Sequence, residues 1–257
     1  MATQLLIYET ATPLSQRRHG AWSCATGRDY AFSRKLNSAP LLAAEILNAA
    51  AEYPVIFSGI GDAVLPTVIL GLRADENLYL DAAGAWQARY IPAFLRRYPF
   101  IFSSPDEGKT FALCIDETYP GFNQAGWGER LFSDDGKPTP YVGKVLKFLQ
   151  QYQREFTPTQ AFCKKLKDLN LLEPMQGRLK LDSGERVSFS GFSVVDRARL
   201  KTLSSDALAD LNRSDGLELI YAHLHSMRNF TAMKDRFAKS QAAAAAPKPA
   251  AVSRHSP

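Results

Sequence analysis

Short apolar blocks separated by turn-forming residues dominate the first half of the chain. "PLLAAEILNAAAEY" (40–53) is rich in Ala and Leu, with Pro40 at a permitted first-turn position, and predicts a helix. Pro54 ends it, because the proline ring disfavours a helical conformation at Tyr53. "VIF" (55–57), "TVILGL" (67–72) and "NLYLD" (77–81) carry the β-branched and aromatic residues of short strands, and "RADE" (73–76) suits a hairpin turn. "TFALCID" (110–116) predicts a buried strand.

The period then changes. Val142, Val145, Leu146, Leu149 and Tyr152 recur at three and four residues, the spacing of an amphipathic helix. Thr157-Pro158-Thr159-Gln160 has the form of a capping box with Pro at the first helical position, so Phe162, Leu166 and Leu169 are assigned to a second helix. "RLKLDSGERVSF" (178–189) alternates about Asp182-Ser183-Gly184, a hairpin signature. Leu217, Ile220, Tyr221, Leu224 and Met227 form an apolar stripe on a long C-terminal helix. Helices and antiparallel hairpins without a βαβ rhythm predict an α+β fold: one compact domain over 1–239. The Ala/Pro-rich stretch 240–257 is expected to be a disordered tail.

Composition adds limits. A chain of 257 residues with 46% hydrophobic and 22% charged residues can bury a sizeable core. No apolar run approaches the roughly 20 residues of a membrane span. The first twelve residues lack a basic region followed by an apolar one, which predicts a cytoplasmic protein. Cys24, Cys114 and Cys163 are widely spaced and are expected to be buried reduced thiols. Of the net charge of +5, three units come from Lys239, Lys248 and Arg254, leaving +2 for the rest. That balance, with no dense basic stripe, argues against a nucleic-acid partner.

Several chemical motifs fail on a nameable residue. "SSPDEGKT" (103–110) ends like a phosphate-binding loop but has Ser103 where the first glycine belongs, and it runs into a strand rather than a helix. "GIG" (59–61) lacks the third glycine of a dinucleotide fingerprint. His223 and His225 lie about 200° apart on a helix and cannot chelate one ion from one face. Both are expected at the borders of the apolar stripe, and His223 remains a candidate with partners from elsewhere. Asp116 and Glu117 are adjacent on a strand and point to opposite faces, which favours a turn or salt-bridge role over a joint acid–base pair. No metal and no cofactor is expected.

"YIPAFLRRYPFIF" (90–102) sets Arg96 and Arg97 among aromatics, between Pro92 and Pro99. On a short helix, Phe94, Leu95 and Tyr98 cover one side, while Arg96 and Arg97 fall on the other, near the negative end of the dipole. Both arginines are therefore expected to face water or a partner, either as a solvated face or as an anion site using bidentate guanidiniums.

"LNSAPLLAAEILNAAAEYPVIF", "ILGLRADENLYLD", "GAWQARYIPAFLRRYPF", "CIDE", "GERLF" and "IYAHLHSM" occur in the order seen in the bacterial SapC family, and the resemblance spans roughly residues 1 to 237. It implies a role linked to the surface layer or cell envelope, with no established catalytic residues to carry over. It also implies genomic company with flavin-dependent halogenases and cupin-like oxygenases. The expected function is thus a non-catalytic accessory protein with an unknown envelope or surface-layer protein as partner. The alternative is an enzyme or ligand-binding protein with an unfamiliar anion site, in which Arg96 and Arg97 grip the substrate and His223 or Asp116 moves a proton. A cleft containing Arg97, Asp116 and His223 would favour the enzyme.

Overall fold

Five antiparallel strands, drawn from both halves of the chain, form the frame on which the helices pack. The computed structural model describes residues 7–25, 27, 29–104, 110–180, 184 and 186–245. In chain order the elements begin with β1 (Thr12–Pro13), α1 (Gln16–His19), β2 (Ser23–Cys24), β3 (Ser38–Pro40), α2 (Ile46–Ala50), β4 (Val55–Ser58) and β5 (Leu65–Ile69). There follow α3 (Ala93–Arg96), β6 (Phe100–Ser103), β7 (Ala112–Ile115), β8 (Phe122–Asn123), β9 (Glu129–Arg130) and α4 (Pro140–Asp168). The chain continues with β10 (Leu172–Lys180), β11 (Arg186–Val195), α5 (Arg197–Lys201), α6 (Ser205–Arg213), α7 (Gly216–Ser226) and α8 (Asn229–Ala245).

The main sheet has the order β10-β11-β4-β5-β3, and two three-stranded sheets run β1-β7-β6 and β8-β2-β9. With antiparallel pairing throughout and helices packed around the sheets, the chain is an α+β protein. Register sorts the two faces of the main sheet, because directly opposed residues share a face. Val55 opposes Val68 and Phe57 opposes Pro66; with Ala39, these point into the principal core, where Phe57 meets Phe162 of α4. Ile56 opposes Thr67, Ser38 opposes Ile69 and Phe192 opposes Ser58, which puts all six on the other face. Met227 and Phe230 cover part of that second face by packing on Ile56, Phe192 and Val194.

Several elements depart from the sequence expectation. Residues 40–53 are not one helix: Pro40 closes β3, and α2 begins only after a 3-10 turn over Ala43–Glu45. Pro40 is tolerated in a strand because β3 is the sheet edge. The strand expected at 77–81 is a turn, in which Tyr79 N–H bonds the Asn77 side chain rather than a neighbouring strand. The two helices expected around Pro158 are one helix, α4, running through it. Pro158 removes one backbone donor, but Thr159 Oγ1 donates to the Glu155 carbonyl at 2.7 Å and accepts the buried Ala43 N–H at 2.8 Å, anchoring the helix there.

The C-terminal helix is in turn divided, with a break at Met227–Arg228 between α7 and α8. Asn229 Nδ2 ties the start of α8 to the Ala50 and Tyr53 carbonyls, at 2.8 and 2.9 Å. Ile220 of the predicted stripe is buried, whereas Tyr221 is 49% exposed. The expected hairpin forms between β10 and β11, with Lys180 opposite Arg186; its turn residues Asp182 and Ser183 lie outside the described residues, as does 105–109 of the "SSPDEGKT" segment. α8 runs on to Ala245, past residue 240, and residues 246–257 lie outside the described residues.

Candidate functional site

Arg97 overturns the two-sided reading of α3. It is buried, at 3% exposure, with its guanidinium 4.5 Å from the Phe94 ring centroid, 4.9 Å from Tyr152 and 5.6 Å from Tyr8. Arg97 lies just past the last residue of this four-residue helix, where Tyr152 of α4 and Tyr8 of the N-terminal segment pack around it. Aromatic faces carry negative quadrupoles, so a cation held between rings is stabilised where water is excluded. Burial raises the Tyr8 and Tyr152 hydroxyl pKa values, opposed in both by the Arg97 charge.

Arg96 does stay at the surface, as expected. Its Nε donates to the Ile91 carbonyl at 2.9 Å, and its guanidinium lies 5.2 Å from the Phe148 ring centroid. It lines a cleft of about 250 Å³ that also contains Glu45, Tyr90, Gln151 and Glu155. The Glu45 carboxylate is committed there to the fold: it accepts from Leu42 N–H, Tyr90 O–H and Ala93 N–H at 2.6–2.8 Å. The two neighbouring arginines thus do not form a paired anion site.

Asp116 is fully buried and organises a loop. It accepts from Glu9 N–H (2.8 Å), Thr10 Oγ1 (3.0 Å), Thr118 N–H (3.2 Å) and Thr118 Oγ1 (2.8 Å). Its neighbour Glu117 makes the expected ion pair with Arg18 at 2.6 Å and also accepts a hydrogen bond from His19 at 2.7 Å. His19 is buried and accepts Ser15 N–H at Nδ1, so Nε2 carries the proton donated to Glu117. Burial pushes the Glu117 carboxyl up, but the hydrogen bonds from His19 and Arg18 outweigh it and hold it below the usual range. Nothing in the residues around 18, 19 and 117 marks this cluster beforehand, because only the fold brings positions so far apart in the chain together.

His223 also changes role. It is buried rather than at the stripe border, while His225 is exposed. Its Nε2 accepts Val195 N–H at 3.0 Å and its Nδ1 donates to the Val55 carbonyl at 2.7 Å. Both ring nitrogens are thereby used by backbone, and burial lowers its pKa to about 4. Arg97 and Asp116 share one corner of the molecule, since Tyr8 touches the guanidinium and Glu9 binds the carboxylate. His223 sits elsewhere, against Phe57. Among the described residues, no three His, Cys, Asp or Glu side chains are grouped to hold a metal ion.

A groove of about 600 Å³ opens on the second face of the main sheet. Its floor includes Ser38, Ser58, Thr67, Ile69 and Phe192, with Ser188 and Ser190 from β11 alongside. Ser58 Oγ and Thr67 Oγ1 are 2.7 Å apart, a hydroxyl pair fixed across β4 and β5. Arg73 and Arg186 also line it, Arg73 stacking on Phe237 of α8 at 4.5 Å. No acidic residue is among the described residues lining it. Gly191, with φ of +88°, sits where the β10–β11 register shifts, a bulge conformation that a side chain would strain. Sequence reasoning missed this site, although the alternation of Arg186, Ser188 and Ser190 in the hairpin was a legible trace of one polar strand face.

Fold and geometry together define an α+β protein with a polar groove on one sheet face, a smaller cleft beside α3, and the buried Glu45, Asp116 and His223 side chains bonded into the fold. The chain belongs to the SapC family, whose model matches residues 14–233. No curated protein and no solved structure matches it.

Proposed function

We propose that the chain is a non-catalytic accessory protein of a surface-layer or cell-envelope system, and that it works by binding through the sheet-face groove. The observation that carries this reading is where the reactive side chains are spent. His223 and Asp116 use their polar atoms on backbone and loop partners, and Arg97 is enclosed by rings. The groove instead presents hydroxyls and guanidiniums, groups suited to recognition. The envelope link is what the resemblance to the SapC family implies, and the three buried free thiols support residence on the reducing side of that envelope. The anion-site alternative keeps only Arg96 of its four residues in an accessible cleft.

Co-sedimentation of the purified full chain with isolated cell envelopes tests the reading. The wild-type chain is expected in the pellet, and Arg186→Glu and Ser190→Asp, both at exposed positions, are expected in the supernatant with unchanged urea midpoints. Wild-type protein left in the supernatant, or groove variants that pellet equally, would overturn it.

A further inference from the structure

The cleft beside α3 shares no lining residue with the sheet-face groove and presents different chemistry. Phe148, Gln151, Tyr152 and Glu155 reach it from α4, at the spacing of three, four and seven that keeps residues on one helix face. Tyr90 and Arg96 line it from the two sides of Pro92, where the chain enters α3.

The ionic residues lining the cleft are Glu45, Arg96 and Glu155, and their charges are not equally available. The Glu45 carboxylate is answered by three donors, the Leu42 and Ala93 N–H groups and the Tyr90 hydroxyl. Arg96 is oriented by its Nε bond to the Ile91 carbonyl and by the Phe148 ring, and it enters no ion pair among the described residues. Glu155 is half-buried, and its carboxylate has no hydrogen-bond or ion-pair partner among the described residues. A guanidinium and a carboxylate therefore line one small cleft without being joined to each other.

A ligand with a single charge gains from one of these groups and is repelled by the other. A zwitterion satisfies both, because a guanidinium fork matches a carboxylate and a side-chain carboxylate accepts from an ammonium. Leu42, Ala44 and Phe148 supply apolar wall beside the two charges. At about 250 Å³ the cleft falls just below the roughly 300–1,000 Å³ of sites for drug-sized ligands, which calls for a small occupant. We propose that this cleft binds a free α-amino acid with an apolar side chain. Arg96 takes its carboxylate, Glu155 its ammonium, and the side chain lies along Leu42, Ala44 and Phe148.

Isothermal titration of the full chain with L-leucine and L-phenylalanine tests the assignment. The N-acetyl derivative of each, which lacks the ammonium, and the amide of each, which lacks the carboxylate, serve as single-charge controls. At least one free amino acid is expected to bind about tenfold or more tightly than both of its derivatives. Glu155→Gln is expected to remove the advantage over the N-acetyl derivative, and Arg96→Gln the advantage over the amide, with urea midpoints unchanged. Failure of both free amino acids to bind at millimolar concentration would overturn the proposal. So would a derivative that binds as tightly as its parent, or either advantage surviving its substitution.

Discussion

His223 donates from Nδ1 to the carbonyl of Val55 and stands in the place of a ladder hydrogen bond. β11 and β4 pair at Phe192–Ser58 and Ser193–Phe57, and two residues further on Val195 comes level with Val55. There the strands no longer bond directly; the imidazole spans them, taking Val195 N–H at Nε2. Ser226, three residues along α7, accepts Val55 N–H at 2.9 Å, so one helix turn closes the end of the sheet.

A pH dependence of stability follows. Burial lowers the folded pKa of His223 to about 4, against an unfolded value near 6.5. Between those values the unfolded chain binds the proton and the folded one does not, so stability falls as pH drops from 6.5 and levels off below about 4. The full effect is about 3 kcal/mol. Urea midpoints at pH 7 and pH 5 should show the loss, and His223→Ala should abolish this component. That substitution also leaves two buried backbone groups without partners, costing roughly 2–5 kcal/mol at pH 7.

Arg97 and Arg96 should separate sharply in the same measurement. Arg97→Ala removes a desolvated cation from between three rings and opens a buried void, for a loss of roughly 2–4 kcal/mol. Phe94→Ala should cost about 3–5 kcal/mol, because that ring is fully buried. Arg96→Ala should stay within about 1 kcal/mol. Equal urea midpoints for Arg96→Ala and Arg97→Ala would contradict the ring enclosure.

Thr159 offers a test of how α4 passes Pro158. Thr159→Val keeps the shape but strands the buried Ala43 N–H, and should cost about 1–3 kcal/mol. Thr159→Ser retains the hydroxyl and should recover most of it. Chemical denaturation of the three proteins makes the comparison; a valine variant as stable as wild type would remove the bond from the account.

The cysteines should be silent in the folded protein. Cys24, Cys114 and Cys163 are buried, burial raises all three thiol pKa values, and Cys163 is pushed up to about 12. A colorimetric thiol reagent at mildly alkaline pH should react with none of them before unfolding and with all three afterwards. Rapid reaction of the native chain would place a thiol at the surface.

Local pattern carried much of the architecture. The α+β class, the β4 and β7 strands, the amphipathic stretch from Val142 to Tyr152 and the β10–β11 hairpin follow from periodicity, because each buries side chains at intervals set by its own backbone geometry. SapC membership was likewise legible in the ordered sequence blocks. Helix ends were less so, since the signals at Pro40 and Pro158 are permissive rather than decisive: a sheet edge accepts the first, and the Ala43–Thr159 contact holds the second inside a helix. The site depended on tertiary structure almost entirely. Arg97 is adjacent to Arg96 in sequence, yet Tyr8 and Tyr152 arrive from distant segments to enclose only one of them. Spacing alone places His223 at the border of the stripe, because its partners, Val55 and Val195, belong to strands whose meeting with α7 no local spacing encodes. The groove likewise exists only where β3, β5, β4 and β11 align their alternate residues on one face. Burial and hydrogen-bond pairing depend on which distant surfaces meet, and a one-dimensional pattern records only which surfaces are available to do so.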